Sequence, residues 1–355
     1  MQTSSQNSLA TTIIPKDAAR VKWSEKKTQN LKIANRFLHL AYKCNSKAET
    51  LLKSGEELQA LTERTAAENY RKRGFRMKDC ARFIKISVCP DCHRSIGSSA
   101  SLCRDRVCPT CAWRLSAQQG AEMLQTLSFI NDLTDYDALF LTLTVKNCEG
   151  ALLADTLALM SAAWNRLLSR RKNRALIKGT ARAVEITYNA KTRTFHPHYH
   201  VIVLIDKLKQ HSPRSTGALN TYFNKEWQTA AKLAYIPITD LRTIENQALA
   251  EYDTDEAARY KKAILETFKY TIKDDNLAEM PLSEFRQYVE AVQGKRLVAY
   301  TGIIKEARAE LDFTDELQSE EEARFCPDCS GEMLSAIYQW SFKESTYKRF
   351  LQAIE

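Results

Sequence analysis

The spacing of apolar positions divides the chain into helical and strand-like stretches. Between Lys22 and about Gly74 the pattern is helical: LKIANRFLHLAYK sets Leu31, Ala34, Leu38 and Tyr42 three or four apart. A second helix is predicted from Trp113 to about Ile130. It gives way to ALFLTLTV (138–145), a run of Leu, Thr and Val bounded by polar residues that predicts a buried strand. Leu152, Leu153, Leu157, Met160, Trp164, Leu167 and Leu168 return to helical spacing, closed by RRKNR at 170–174. ARAVEITY (181–188), the polar NAKT (189–192) and RTFHPHYHVIVLI (193–205) read as strand, turn and strand. Further on, EAARYKKAILETFKYTIK (256–273) predicts one amphipathic helix. No apolar run approaches the roughly 18–20 residues that cross a bilayer, so membrane partners are not expected.

Strands and helices in separate runs predict an α+β fold, a central antiparallel sheet with flanking helices. The 355 residues make room for two domains, and the 44% hydrophobic content is enough to bury a core. A net charge of +9 suits a protein that handles a polyanion. The Ser-, Thr- and Gln-rich N-terminus has no basic stretch ahead of an apolar one, so a secretory leader is not expected and a cytoplasmic location is. Five segments are expected. They are a disordered arm (1–20), a basic helical segment (21–79), a cysteine-rich segment (80–118), a catalytic domain (119–310), and an acidic tail with a CPDC knuckle (311–355). The basic runs at 71–78 and 166–178 are expected phosphate contacts, although a solvated face explains a charge run equally well.

Ten cysteines in a reducing compartment point to metal ligands or core residues rather than disulfides. Cys44 and Cys148 stand alone and are expected in the core. The other eight are Cys80, Cys89, Cys92, Cys103, Cys108, Cys111, Cys326 and Cys329, enough for two tetrahedral sites of four thiolates. One or two structural zinc ions are therefore expected, with His93 a possible substitute for one thiolate. One partition joins Cys89 and Cys92 to Cys326 and Cys329 across the catalytic domain. Its rival places Cys89, Cys92, Cys108 and Cys111 in one local site.

His196, His198 and His200 alternate along a strand and so share one face. With NAKT as the turn, Tyr188 pairs with Arg193 and Glu185 with His196, which puts Glu185 on the histidine face, diagonal to His198. Two imidazoles and a carboxylate then form a divalent-metal site with open positions. In the helix at 256–273, Glu266 and Tyr270 lie one turn apart, with Lys269 and Lys273 flanking the tyrosine. A phenol with a pKa of about 10 needs an electrophilic target or a stabilised charge before it attacks. A metal-polarised phosphodiester supplies the first and a nearby lysine the second.

The order FLTLTVKN (140–147), EITYN (185–189), FHPHYHVIV (195–203) and KYTIK (269–273) resembles that of the plasmid rolling-circle replication initiators (Rep) of the HUH endonuclease superfamily. LCRDRVCPTCAWRLS (102–116) and GKRLVAYTGIIKEA (294–307) look like further segments of the family, so the resemblance covers most of 20–310. It implies an HUH, palm-like sheet and strand-specific nicking and joining of single-stranded origin DNA. Tyr270 would form a 5′-phosphotyrosyl link and release a 3′-OH that primes synthesis. His198, His200 and Glu185 would hold Mg²⁺ or Mn²⁺. Glu266 matches the glutamate that activates water at termination in the single-tyrosine branch, Lys273 is taken as catalytic, and His196 is auxiliary. Tyr260 is too far along the helix to be a second nucleophile. Cys80, Cys103, Cys108 and Cys111 look like the family's own cysteine set, which leaves Cys89, Cys92, Cys326 and Cys329 for the second site. Host helicase and polymerase are the implied partners. Two other readings remain open: a non-catalytic zinc-ribbon DNA-binding regulator, and a relaxase or transposase of the same superfamily.

Overall fold

The computed structural model describes residues 18–133, 136–207, 213–244, 264, 267–268, 274–313, 325–326 and 328–350. Among them the helices are α1 (Ala18–Lys53), α2 (Glu57–Asp79), α3 (Pro109–Leu133), α4 (Leu153–Ser169), α5 (Arg171–Leu176), α6 (Pro213–Ala231), α7 (Asp274–Glu279), α8 (Leu282–Val292) and α9 (Gly302–Glu310). The strands are β1 (Phe83–Val88), β2 (Ser95–Ala100), β3 (Tyr136–Thr144), β4 (Ile177–Asn189), β5 (Thr194–Asp206), β6 (Thr239–Ile244), β7 (Val298–Thr301), β8 (Leu334–Ser341) and β9 (Thr346–Arg349). The chain is α+β with antiparallel sheets, as expected.

The N-terminal helical stretch is two helices rather than one, and α1 already begins at Ala18, inside the expected arm. Gly55, at φ +81°, makes the left-handed turn between them. The buried stripe of α1 is Ile33, Ala34, Phe37, Leu40, Ala41 and Cys44, which keeps Ala34 of the expected set, whereas Tyr42 is 67% exposed. The expected Leu31–Tyr42 stripe is therefore displaced. Phe37 is wedged between Tyr70 of α2 and Phe285 of α8, so the face of α1 is set by two neighbours rather than one.

A five-stranded sheet, in the order β6-β3-β5-β4-β7, carries two cores. On one face Leu139, Leu141, Leu143, Val184, Ile186, Tyr199, Val201 and Val203 pack with Leu157, Met160, Trp164, Phe223, Trp227 and Phe285. On the other, Ala138, Phe140, Ala181, Ile202 and Leu204 pack against Met123, Leu127 and Ile130 of α3 and Ile304 and Ala307 of α9. Period-two alternation in β3, β4 and β5 produces this split, and it places the histidines on the second face. The edge strands β6 and β7 are short, and the sequence pattern did not predict them.

The second sheet, β2-β1-β8-β9, joins residues 83–100 to 334–349. Ile84, Ile86, Tyr338, Trp340 and Tyr347 pack beneath it with Trp23 of α1. The end of the chain, expected as an acidic tail with a short aromatic close, therefore supplies two strands. No helix among the described residues is long and apolar enough to cross a membrane.

Candidate active site

The β4–β5 hairpin turns on Ala190–Arg193 rather than on 189–192, because Asn189 still pairs with Thr194. The side-chain oxygen of Asn189 accepts from the amides of Lys191 (3.0 Å) and Thr192 (3.2 Å), and Arg193 takes φ +54°. Tyr188 consequently pairs with Phe195 and Glu185 with His198, correcting the expected Tyr188–Arg193 and Glu185–His196 pairs. The shift is two residues, so Glu185 keeps its face and moves from a diagonal to a direct position opposite His198. Backbone bonds between Cys148 and Phe195, both 2.8 Å, hold the start of β5 in this register.

Glu185 Oε2 lies 2.9 Å from His200 Nε2 and 3.5 Å from His198 Nε2. The three side chains offer ligand atoms within 4.8 Å of one another. His198 Nδ1 is 3.1 Å from the carbonyl oxygen of His196, which can only accept, so Nδ1 carries the proton. Its Nε2 faces the Glu185 carboxylate at 3.5 Å, so a proton or a cation must stand between the two atoms to make the contact favourable. His200 Nδ1 is 3.3 Å from Thr142 Oγ1, and its ring stacks on Phe140 at 5.3 Å. Burial pushes the Glu185 carboxyl up, but hydrogen bonds and charge from His198 and His200 outweigh it and hold the group well below the usual carboxylate range. An ionised carboxylate beside two imidazoles fits a divalent cation with positions left open.

His196 shares the face, 5.4 Å ring to ring from His198, but is not part of the three-ligand group. Burial and then the neighbouring His198 lower its pKa. Tyr199, between His198 and His200, points to the opposite core against Trp164 and Trp227. Thr142 and Phe140 were not singled out from sequence. The alternation of Phe140, Thr142 and Thr144 in FLTLTV, which puts two hydroxyls on one face of a buried strand, was the available signal.

Tyr270, Glu266, Lys273, Lys269 and Tyr260 lie outside the described residues. Ile264, Thr267 and Phe268 are described and buried. Ile264 and Phe268 belong to the same core as Phe140, on the histidine face. The Ser116 hydroxyl donates to the Phe268 carbonyl, which ties this segment to α3.

The cysteines gather into two groups. Cys80 Sγ is 3.6 Å from both Cys111 Sγ and Cys108 Sγ, and Cys103 Sγ is 3.7 Å from Cys111 Sγ. A tetrahedral centre with metal–sulfur bonds of about 2.3 Å spaces its sulfurs about 3.8 Å apart. Hydrogen bonds from Cys103, Cys108 and Cys111 lower the Cys80 pKa well below that of an ordinary thiol. Below this group the buried Lys27 amine donates to the carbonyls of Lys78 (2.8 Å) and Cys80 (2.5 Å), and burial brings its pKa down to about 8. The second group joins Cys89 and Cys92 to Cys326 and Cys329, with sulfur pairs at 3.4 Å. Its knuckles have the same backbone pattern: the first cysteine's carbonyl accepts from the residue four on (His93, Ser330), and its amide donates to the carbonyl five on (Arg94, Gly331). Cys89 and Cys92 do not meet Cys108 and Cys111, and His93 belongs to neither group. Cys44 is buried and Cys148 half-buried.

The basic runs are partly structural. Arg73 pairs with Asp105 at 2.8 Å and Arg76 donates to the Cys103 carbonyl, so both brace the first cysteine group. In 166–178, Arg166 donates to the Ala230 carbonyl, Arg170 pairs with Glu226 and Lys178 with Asp206. Arg71, Lys72, Lys78, Arg171, Lys172 and Arg174 stay exposed.

The family model described as "Replication protein" matches residues 96–348. A "Protein rep" of a Bacillus species is 30% identical over 281 residues, 73% of this chain and 87% of its own length. One from Bacillus amyloliquefaciens is 30% identical over 73% of this chain and 79% of its own. Another, from Streptococcus pneumoniae, is 29% identical over 82% of this chain and 80% of its own. No solved structure matches the chain. The family match spans the β4–β5 hairpin, the Cys103–Cys111 segment that leads into α3 and the returning β8, and the chain belongs to the replication protein (Rep) family, that of the plasmid rolling-circle replication initiators.

Proposed function

We propose that this replication initiator is an HUH-type DNA nicking and joining enzyme acting on one strand of a plasmid origin. The observation that carries the reading is the convergence of His198, His200 and Glu185 on one sheet face. Packing of Ile264 and Phe268 on that same face supports it, since Tyr270 follows Phe268 by only two residues. A Mg²⁺ or Mn²⁺ ion held by His198, His200 and Glu185 would supply Lewis acidity to the scissile phosphate. Tyr270 gives up its phenol proton to solvent, its Oη attacks phosphorus, the P–O3′ bond breaks, and the 3′-oxygen takes a proton from water to leave as a hydroxyl able to prime a host polymerase behind a host helicase. Lys273 offsets the charge on the phenolate. Glu266 takes a proton from the water that resolves the covalent link at termination. The link conserves one phosphoester bond, so rejoining needs no nucleotide hydrolysis. Incubation with a single-stranded origin oligonucleotide and Mn²⁺ should give an adduct that survives denaturation and is prevented by chelation. No adduct under any divalent ion would refute the reading.

Two variants probe the metals. Thr142→Val removes the group that orients His200, and is expected to weaken Mn²⁺ affinity about tenfold by calorimetry while the fold is kept. We assign Zn²⁺ to both cysteine groups. Elemental analysis of the wild-type protein should then give two zinc ions per chain, falling to one in Cys326→Ser.

A further inference from the structure

We propose that the outward face of the four-stranded sheet is a second binding surface for single-stranded DNA, apart from the histidine site. An antiparallel sheet with one packed face ordinarily turns polar residues outwards. Here the inward face already holds Tyr338, Trp340 and Tyr347, yet the outward one carries Phe83, Ile337 and Phe350. Ile337 is 44% and Phe350 39% exposed.

The outward residues form rows across β1, β8 and β9. Phe83, Gln339 and Lys348 make one row, through the Phe83–Gln339 and Gln339–Lys348 pairs. Lys85, Ile337 and Phe350 make the next, through the Lys85–Ile337 pair and the bond from the Phe350 amide to the Ile337 carbonyl. Aromatic and cationic side chains thus alternate diagonally. The Phe83 and Phe350 rings meet edge-on at 5.5 Å, and the Arg82 guanidinium stands 5.8 Å from the Phe83 centroid. Beyond Lys85 the open part of the face ends: Ser99 pairs with Lys85, and Ser87 is buried, its hydroxyl 2.7 Å from that of Ser335. Arg82 pairs with Asp79 and Lys348 with Glu344, exposed contacts that a phosphate can replace. Aromatic rings between cations on an open sheet are the elements that hold single strands: the rings stack bases and the cations follow the backbone. Charge complementarity selects a polyanion, and the proposal rests on reading the chain as an enzyme that works on single-stranded origin DNA.

The test uses the full chain with its metals and a fluorescein-labelled oligothymidylate lacking any origin sequence. Anisotropy should show binding that weakens about tenfold in Phe350→Ala and in Lys85→Ala, with a shallower salt dependence only in the latter. Phe350→Trp should retain affinity and show fluorescence quenching on binding. Covalent cleavage of a short origin oligonucleotide should be unchanged in all three, which also shows that they fold. Unchanged oligothymidylate affinity in both alanine variants, or wild-type protein that cuts origin DNA without binding oligothymidylate, overturns the proposal while leaving the nicking reading intact. Wild-type protein that binds oligothymidylate through this face but never forms the covalent adduct overturns the nicking reading alone. A self-association in the wild type that is abolished by Phe350→Ala in sedimentation would assign the face to a second copy, and also overturns the proposal.

Discussion

Tyr270→Phe is expected to abolish the denaturation-resistant adduct completely, leaving no residual amount that longer incubation recovers. The substitution deletes one oxygen, the atom that would bond to phosphorus, so no neighbouring change in geometry can compensate. Metal binding should be unaffected, because His198, His200 and Glu185 are held by β4 and β5 independently of that hydroxyl. Binding of origin DNA should likewise persist within a factor of about two to three. The pairing of lost chemistry with retained binding separates a nucleophile from a residue that only supports the fold. Gel analysis of the adduct, with calorimetric Mn²⁺ titration of the same preparation, makes the comparison. Adduct formation by the phenylalanine variant would remove Tyr270 from the mechanism.

Cys108→Ser is expected to be the most destabilising single change among the cysteines. Cys108 is fully buried, its sulfur lies 3.2 Å from Asn30 Oδ1 of α1, and it precedes α3 directly. The group therefore fastens together the end of α2, the start of α3 and, through Asn30 and Lys27, the middle of α1. With zinc bound as proposed, loss of one thiolate would leave three sulfurs around a weakly held ion, and structural zinc contributes on the order of 10 kcal/mol in small domains. A loss of several kcal/mol, enough to lower the unfolding midpoint by ten degrees or more, is expected. Cys329→Ser should cost far less, since Cys92 and Cys329 are both exposed and that group sits on a sheet that also has its own aromatic core. Thermal unfolding with zinc release followed by a chromogenic chelator compares the two. An equal midpoint loss for both variants would contradict the assignment of the first group as the principal fastener.

The site was legible where local pattern determines geometry. Alternation along FHPHYHVIV put His198 and His200 on one face and Tyr199 on the other, and the two-residue error in register was harmless because strand faces repeat every second residue. The turn itself was misplaced because the Asn189 side chain closes the loop one residue later than the polar run suggests. Strands β1, β2, β8 and β9 were not legible. Sequences such as SIGSSA and TYKR carry little hydrophobic period of their own, and their pairing spans most of the chain. The same holds for the basic run at 71–78, where the bracing of Arg73 and Arg76 depends on Asp105 and the Cys103 carbonyl, neither of which is close in sequence.

The sheet that begins at Phe83 and closes only with Thr346–Arg349 has a consequence for synthesis on the ribosome. At roughly 5–20 residues per second, β1 waits on the order of 10–50 seconds for its partner β8 to emerge. Through that interval the nascent polypeptide presents an unpaired strand edge, a natural landing place for trigger-type chaperones and a hazard on crowded polysomes. A message cut short before the codons for β8 and β9 would yield a product with an intact β4–β5 hairpin but an unfinished ribbon, so translation through Arg349 becomes a checkpoint on the assembled sheet.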